Sequence, residues 1–388
     1  EQCDLILDPE SENFNEDLAI YAEWLKGTAL YCRASSYLNL ARHFGPDYDP
    51  DTAADDLCVP LVLEFDIYAK PARATVEDVY YQIEDDLLTA LELLKGKVYQ
   101  GEQRSADVTI DAIYARYYLD IEEYKDAAKM ADAVINSEAG YKLSSSATEM
   151  TAEFSKDSGS EPIIQFYASN NEGLGGNGIY TQVSRDAKGA YFQPYYIPSK
   201  KLIDSYSQYD LRLRTWFSNT KYPIFVNGTR HKNIYTFIKY IGNPAFQMGS
   251  LENGAHAVKA LMISEMYLIS AEAHLLANNT INAKKSLNAL QSARGATQTV
   301  ATLENIQLEW FKETVGEGLR LTCLKRWHVG FEGRPAQTAA VNANIVNLGE
   351  YFDERTIEAD DYVLCWPIPS YELKLNKNLV QNDGYGAE

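Results

Sequence analysis

Between residues 15 and 42, Leu18, Tyr21, Ala22, Leu25, Ala29, Cys32, Ser36 and Leu40 recur at steps of three and four. That spacing predicts an amphipathic helix, which Gly45-Pro46 ends. A loop of Asp, Pro and Ala runs on to about residue 74. Thr75 with Asp78 three places later has the form of an N-cap, and Val76, Val79, Tyr80, Ile83, Leu87, Ala90, Leu91 and Leu94 make one apolar stripe over 75–94. The stretch 108–137 predicts a helix pair with small residues at the crossing (Ala115, Ala127, Ala131, Val134, beside Tyr118). A last amphipathic helix is expected over about 303–327.

The 108–137 pair follows the small, aromatic, Ala and apolar positions of a tetratricopeptide hairpin. The same register fits 264–291 through Tyr267, Ala271, His274, Ala283, Leu287 and Leu290. The two pairs stand too far apart for a tandem array, so an insert separates them. That insert, roughly 138–262, has short strand-like runs such as Ile163–Tyr167, Gly- and Pro-punctuated loops, and a dense set of aromatics. Loops that long in a compact domain are usually functional, which places the candidate site there. The expected fold is mainly α: one domain over 1–388, with scaffold helices at 15–137 and 263–327, the aromatic insert at 138–262 and a closing segment at 350–388.

Composition narrows the function. The net charge is −20 and no basic cluster occurs, which excludes a phosphate-neutralising nucleic-acid surface and favours a neutral ligand. No apolar run reaches the roughly 20 residues of a membrane span. The first residues are polar and acidic, so an anchor or export signal is expected upstream. Cys3, Cys32, Cys58, Cys323 and Cys365 lack metal or redox spacing and read as small buried hydrophobes.

The candidate catalytic motifs fail on context. Gly173-Leu174-Gly175-Gly176-Asn177-Gly178 matches a dinucleotide fingerprint, but no long helix follows to face a pyrophosphate, so no cofactor is expected. Glu309, Glu313 and Glu317 lie on successive turns of one predicted helix. They cannot flank a glycosidic bond from two sides, and a solvated face or an ion pair with Arg320 is the expected role. The five histidines show no zinc spacing, and no metal is expected. The positive signal is aromatic: 28 Tyr, 13 Phe and 5 Trp, and a Tyr can both stack on a sugar's C–H face and hydrogen-bond its hydroxyls.

The chain resembles the SusD/RagB family of outer-membrane nutrient-binding lipoproteins. The resemblance rests on several runs in family order. At the C-terminus Pro367-Ile368-Pro369, Glu372-Leu373 and Asn378-Leu379-Val380-Gln381-Asn382-Asp383-Gly384-Tyr385 carry it. Upstream are Arg33-Ala34, Tyr37-Leu38 and Phe44-Gly45; Cys58-Val59-Pro60; Pro198-Ser199 with Asp210-Leu211-Arg212; Glu265-Met266-Tyr267-Leu268 with Ala271-Glu272-Ala273; Ala293-Arg294-Gly295; and Glu317-Gly318-Leu319-Arg320 with Lys325-Arg326-Trp327. The resemblance implies a non-catalytic surface protein that captures a neutral oligosaccharide or polysaccharide. It implies delivery to a SusC-like TonB-dependent transporter and a lipid anchor on the extracellular face of the outer membrane. A peptide ligand, a glycoside hydrolase and a protein–protein adaptor are the alternatives. The family's N-terminal segment is missing, so the chain is expected to be truncated there. By region, the resemblance places ligand contacts at Asn177, Tyr180, Arg185, Tyr191, Phe192, Tyr195 and Tyr196.

Overall fold

The computed structural model describes residues 1–97, 106–169, 181–247, 249–332 and 356–386. They form two compact units. The first holds residues 1–134, 317–331 and 357–388, the second 135–316 and 332–356.

In the first unit a short helix α1 (Gln2–Leu7) and a 3-10 turn lead into α2 (Ala19–Phe44), which ends at Gly45 as the sequence predicts. Its C-terminus is closed by a cation: Lys325 Nζ donates to the carbonyls of Arg42 and Gly45 at 2.9 and 2.7 Å. A positive group there meets the negative end of the helix dipole. The next helix, α3 (Val76–Leu94), opens on the expected capping box, with Asp78 N donating to Thr75 Oγ1 and Thr75 N to the Asp78 carboxylate. Its predicted stripe is buried except for Leu91, which is half-buried. Gly27 lets α2 and α3 touch, because a Cβ there would lie 2.5 Å from the Leu94 side chain. Arg33 forks onto the buried Asp86 of α3 at 2.7 and 2.5 Å. The helix pair α4 (Ala106–Asp120) and α5 (Tyr124–Ile135) follows, with Ala115, Ala127, Ala131 and Val134 buried. Arg42 holds Asp120 at 2.6 and 2.9 Å, both side chains buried.

The closing segment shows what its family motif does. Two of the three residues of the Pro367-Ile368-Pro369 stretch have no N–H, and side-chain amides fasten it. Gln381 both donates to and accepts from the Ile368 backbone, at 2.9 and 2.7 Å. Asn382 Nδ2 donates to the carbonyls of Phe44 and Trp366 at 2.9 and 2.6 Å. The Trp366 ring lies 4.6 Å from that of His43 and 5.9 Å from that of Phe44, yet it stays about half exposed rather than buried. Tyr385 packs edge-on to Tyr362 at 4.9 Å. Pro369 caps a short helix, Ser370–Leu375, within this tail.

In the second unit α9 (Ile263–Leu276) and α10 (Thr280–Ala293) form the predicted hairpin, bridged by the Ser270–Ser286 hydroxyl pair at 2.8 Å. The insert carries more helix than its loop-like sequence suggests: α6 (Ala147–Ser155), α7 (Lys200–Ser205) and α8 (Leu211–Trp216), N-capped by Ser146, Ser199 and Asp210. Within it β1 (Pro162–Gln165) pairs antiparallel with β8 (Lys259–Met262), the strand that leads into α9.

The last predicted helix is two helices, α11 (Leu303–Glu313) and α12 (Arg320–Arg326). Gly316 and Gly318, at φ +78° and +79°, adopt the left-handed conformation that breaks it. After α12 comes the tail helix α13 (Ser370–Leu375). Glu309 and Glu313 are buried rather than solvated; Glu309 pairs with Lys312 one turn on at 2.9 Å, and both carboxylates reach arginines remote in sequence rather than Arg320. Arg212 bonds Asp210 at 2.9 and 2.8 Å and Glu313 at 2.8 Å, and pairs with Glu309 at 2.6 Å. Arg294 bonds Glu161 at 2.8 and 2.9 Å, Glu313 at 2.5 Å and the Ser144 carbonyl at 2.7 Å. Burial alone would raise the Glu313 carboxyl, but the guanidiniums of Arg294 and Arg212 hold it well below the usual range. The Asp-x-Arg and Ala-Arg-Gly motifs are thus one buried ionic node.

The five cysteines form no disulfide; Cys58 and Cys323 are buried, Cys3 and Cys365 half-buried, and Cys32 is exposed against expectation. Among the described residues no helix is long and apolar enough to cross a membrane.

Candidate functional site

The aromatic part of the insert is built on a four-stranded sheet in the order β2 (Thr181–Asp186), β3 (Gly189–Pro194), β5 (Ile224–Val226), β6 (Thr229–His231). The short strands β4 (Phe217–Ser218) and β7 (Thr236–Phe237) pair separately. Two tight turns set the register. Asp186 accepts from Lys188 N at 2.7 Å to close the first, and Asn227-Gly228, both at positive φ, make the second. An Asn-Gly pair with that backbone is the favoured two-residue hairpin turn.

Alternation then sorts the side chains into two faces. Val183, Phe192 and Ile224 form a small core on one, with Tyr222, Ile197 and Ile238 packed against it. The other face presents Gln182 opposite Gln193, Ser184 opposite Tyr191, and Phe225 opposite Arg230. The Tyr191 and Phe225 rings lie 4.9 Å apart. The Arg230 guanidinium sits 4.8 Å from the Tyr191 centroid and 5.9 Å from that of Phe225. It is held by Asp186 at 3.1 and 2.8 Å and by the Gly189 carbonyl at 3.0 Å. That hydrogen bond to Arg230 lowers the Asp186 carboxyl. Ser184 Oγ donates to Gln193 Oε1 at 2.8 Å. The face therefore joins a fixed aromatic pair to a row of amide and hydroxyl groups. It can stack an apolar ring face and bond a rim of hydroxyls.

The predicted site residues divide accordingly. Tyr191 lies on this outer face, half-buried. Tyr195 and Tyr196 follow β3 directly and are 72% and 62% exposed. Phe192 is 0% exposed and belongs to the inner core, so it offers no ligand surface in this structure. Arg185 is exposed but shares the strand alternation of Val183, not of Tyr191. Asn177, Tyr180 and the whole Gly173–Gly178 run lie outside the described residues. Sequence reasoning missed Phe225 and Arg230 as site residues. The signal was available, because Asn227-Gly228 after Ile224-Phe225-Val226 sets Phe225 opposite Arg230. Among the described residues no three His, Cys, Asp or Glu side chains are grouped to hold a metal ion.

The sequence profile of the SusD family matches residues 122–385. The chain belongs to the SusD family. A second profile, described as starch-binding and associating with the outer membrane, matches residues 3–119. Family members are carbohydrate-binding proteins rather than enzymes, and the family associates with the outer membrane. No curated protein matches the chain. Among solved structures it is similar to a SusD superfamily protein of Bacteroides thetaiotaomicron, with a TM-score of 0.76 and 25% identity over 98% of this chain and 82% of that one. A SusD-like carbohydrate binding protein of Bacteroides vulgatus shares the fold at a TM-score of 0.67 and 22% identity, covering 97% of this chain and 80% of its own. So does a laminarin binding SusD-like protein, at 0.67 and 21% over 98% and 82%.

Proposed function

We propose that this SusD-family chain captures a neutral oligosaccharide on the outer face of the four-stranded sheet and delivers it to a SusC-like TonB-dependent transporter. The observation that carries the site is the Tyr191–Phe225 pair clamped by Arg230 beside Ser184 and Gln193. Preformed aromatic surface costs little entropy on binding, and the adjacent amides satisfy hydroxyls that leave water. Family membership supports the glycan, as do the names of the carbohydrate-binding and laminarin-binding relatives. Because Arg230 is already paired with Asp186, and the chain carries −20 overall, the face suits an uncharged sugar better than a uronic or sulfated one. A lipid anchor on the extracellular side would hold the protein at the membrane, since its own charge gives no attraction to an anionic surface.

Calorimetric screening of neutral oligosaccharides, acidic oligosaccharides and peptides tests this reading. Saturable binding confined to neutral sugars, with no reducing ends released, is expected. Peptide binding alone, or sugar hydrolysis by the pure protein, would contradict it.

A further inference from the structure

The first unit carries an aromatic surface of its own in the turn Glu64–Tyr68. Phe65 and Tyr68 are each 84% exposed, with the exposed Ile67 between them. Two such rings leave about 300 Å² of apolar surface in water, which is the scale of a functional patch on a monomer. The exposure does not come from an untethered loop, because the backbone on both shoulders is fastened. Val62 N donates to Tyr37 Oη at 2.7 Å, and Arg33 Nη1 donates to the Leu63 carbonyl at 3.4 Å. Asp66 closes the tip, its Oδ1 accepting from Tyr68 N at 2.8 Å and its carbonyl from Ala69 N at 3.2 Å. On the far shoulder Asn378 and Asn376 donate to the carbonyls of Lys70 and Pro71, each at 2.7 Å. The C-terminal motif thus positions this turn. The backbone on either side of the turn is hydrogen-bonded while its large rings face water, an arrangement that folding alone does not require.

We propose that the Glu64–Tyr68 turn is a second glycan contact, a two-ring platform for a neutral polysaccharide chain. The inference rests on the reading of the chain as a glycan-binding protein, not on the sheet face being its site. The rings of Phe65 and Tyr68 supply the stacking surface, and the exposed carboxylates of Glu64 and Asp66 supply partners for hydroxyls. The same carboxylates disfavour an anionic lipid surface or an anionic glycan. The residues lie within the segment, 3–119, that matches the starch-binding profile.

The test uses the full chain in native gels cast with soluble starch or with laminarin, comparing wild type, Phe65→Ala with Tyr68→Ala, Phe65→Tyr with Tyr68→Phe, and Tyr191→Ala. The alanine pair should raise the Kd for whichever polysaccharide retards the wild type by at least about tenfold. The ring-preserving pair should bind as wild type does, which separates stacking from any effect on folding. Wild-type retardation of the alanine pair, with loss in Tyr191→Ala, would overturn this proposal and leave the proposed function standing. Unchanged glycan binding with lost association to the transporter would also overturn it and assign the turn to protein docking. Failure of every neutral glycan to bind the wild type would overturn the proposed function and this inference with it.

Discussion

Arg294 shows how little of this chain's charge is spent on a ligand. It is buried, and its donors go to Glu161, Glu313 and the Ser144 carbonyl. Removing it by Arg294→Met takes the counter-ion from buried Glu161 and one of the two guanidiniums from Glu313, which should cost about 3–5 kcal/mol in a denaturant titration. An unchanged midpoint would mean the node is solvated. Glu153 is the opposite case. It is 0% exposed, its Oε1 has no hydrogen-bond partner, and burial first, then Glu161, raises its carboxyl to about 7, with Lys259 and Arg294 opposing. A carboxyl raised in the native state binds more protons there than when unfolded. Its contribution is therefore full below pH 4.5 and is lost as pH rises to about 7. Glu153→Gln should leave stability at pH 4.5 nearly unchanged and raise it at pH 8 by about 2 kcal/mol. Parallel pH–stability curves for wild type and variant would refute that assignment.

At the scale of elements, capping chemistry was the most legible part of the sequence. Thr75 and Asp78 read as a capping box and form one, so Thr75→Ala should cost about 1 kcal/mol by thermal melting. The apolar stripes of α3 and the two hairpins were legible for the same reason: a period of three to four survives in the sequence wherever one face is buried. In α2 the helix was legible but its buried face was not: of the predicted stripe Ala22 is buried and Leu25 half-buried, Leu18, Tyr21, Ala29, Cys32, Ser36 and Leu40 are exposed, and the face that packs is Ala34, Tyr37, Leu38 and Ala41. The break between α11 and α12 was not read, because amphipathic spacing continues across residues 314–319 and hides what the backbone does at Gly316 and Gly318. Substituting Ala at Gly318, which has open space around it but φ +79°, should destabilise by about 1 kcal/mol through backbone strain alone. Helices α6, α7 and α8 escaped notice because each is shorter than the window in which periodicity shows. Their Ser146, Ser199 and Asp210 caps were the available signal.

For the whole molecule, the family motifs proved readable and their roles did not. Arg212, Arg294, Lys325 and Asn382 stand out in the sequence, and each builds the fold through buried ion pairs or backbone carbonyls. The candidate site lies where no such motif falls, so it was found by region and only partly by residue. Tyr191, Tyr195 and Tyr196 present surface; Phe192 faces inward, because a period-2 strand sends neighbours to opposite sides. Phe225 and Arg230 come from a second hairpin and join Tyr191 only when β3 and β5 pair. The measurement that bears most directly on this account is calorimetric titration of a neutral oligosaccharide into wild type, Tyr191→Ala and Phe225→Ala. The account predicts saturable wild-type binding, a rise in Kd of about tenfold or more in each variant, and unchanged melting temperatures. Wild-type affinity in both variants would contradict it and move the site off this sheet.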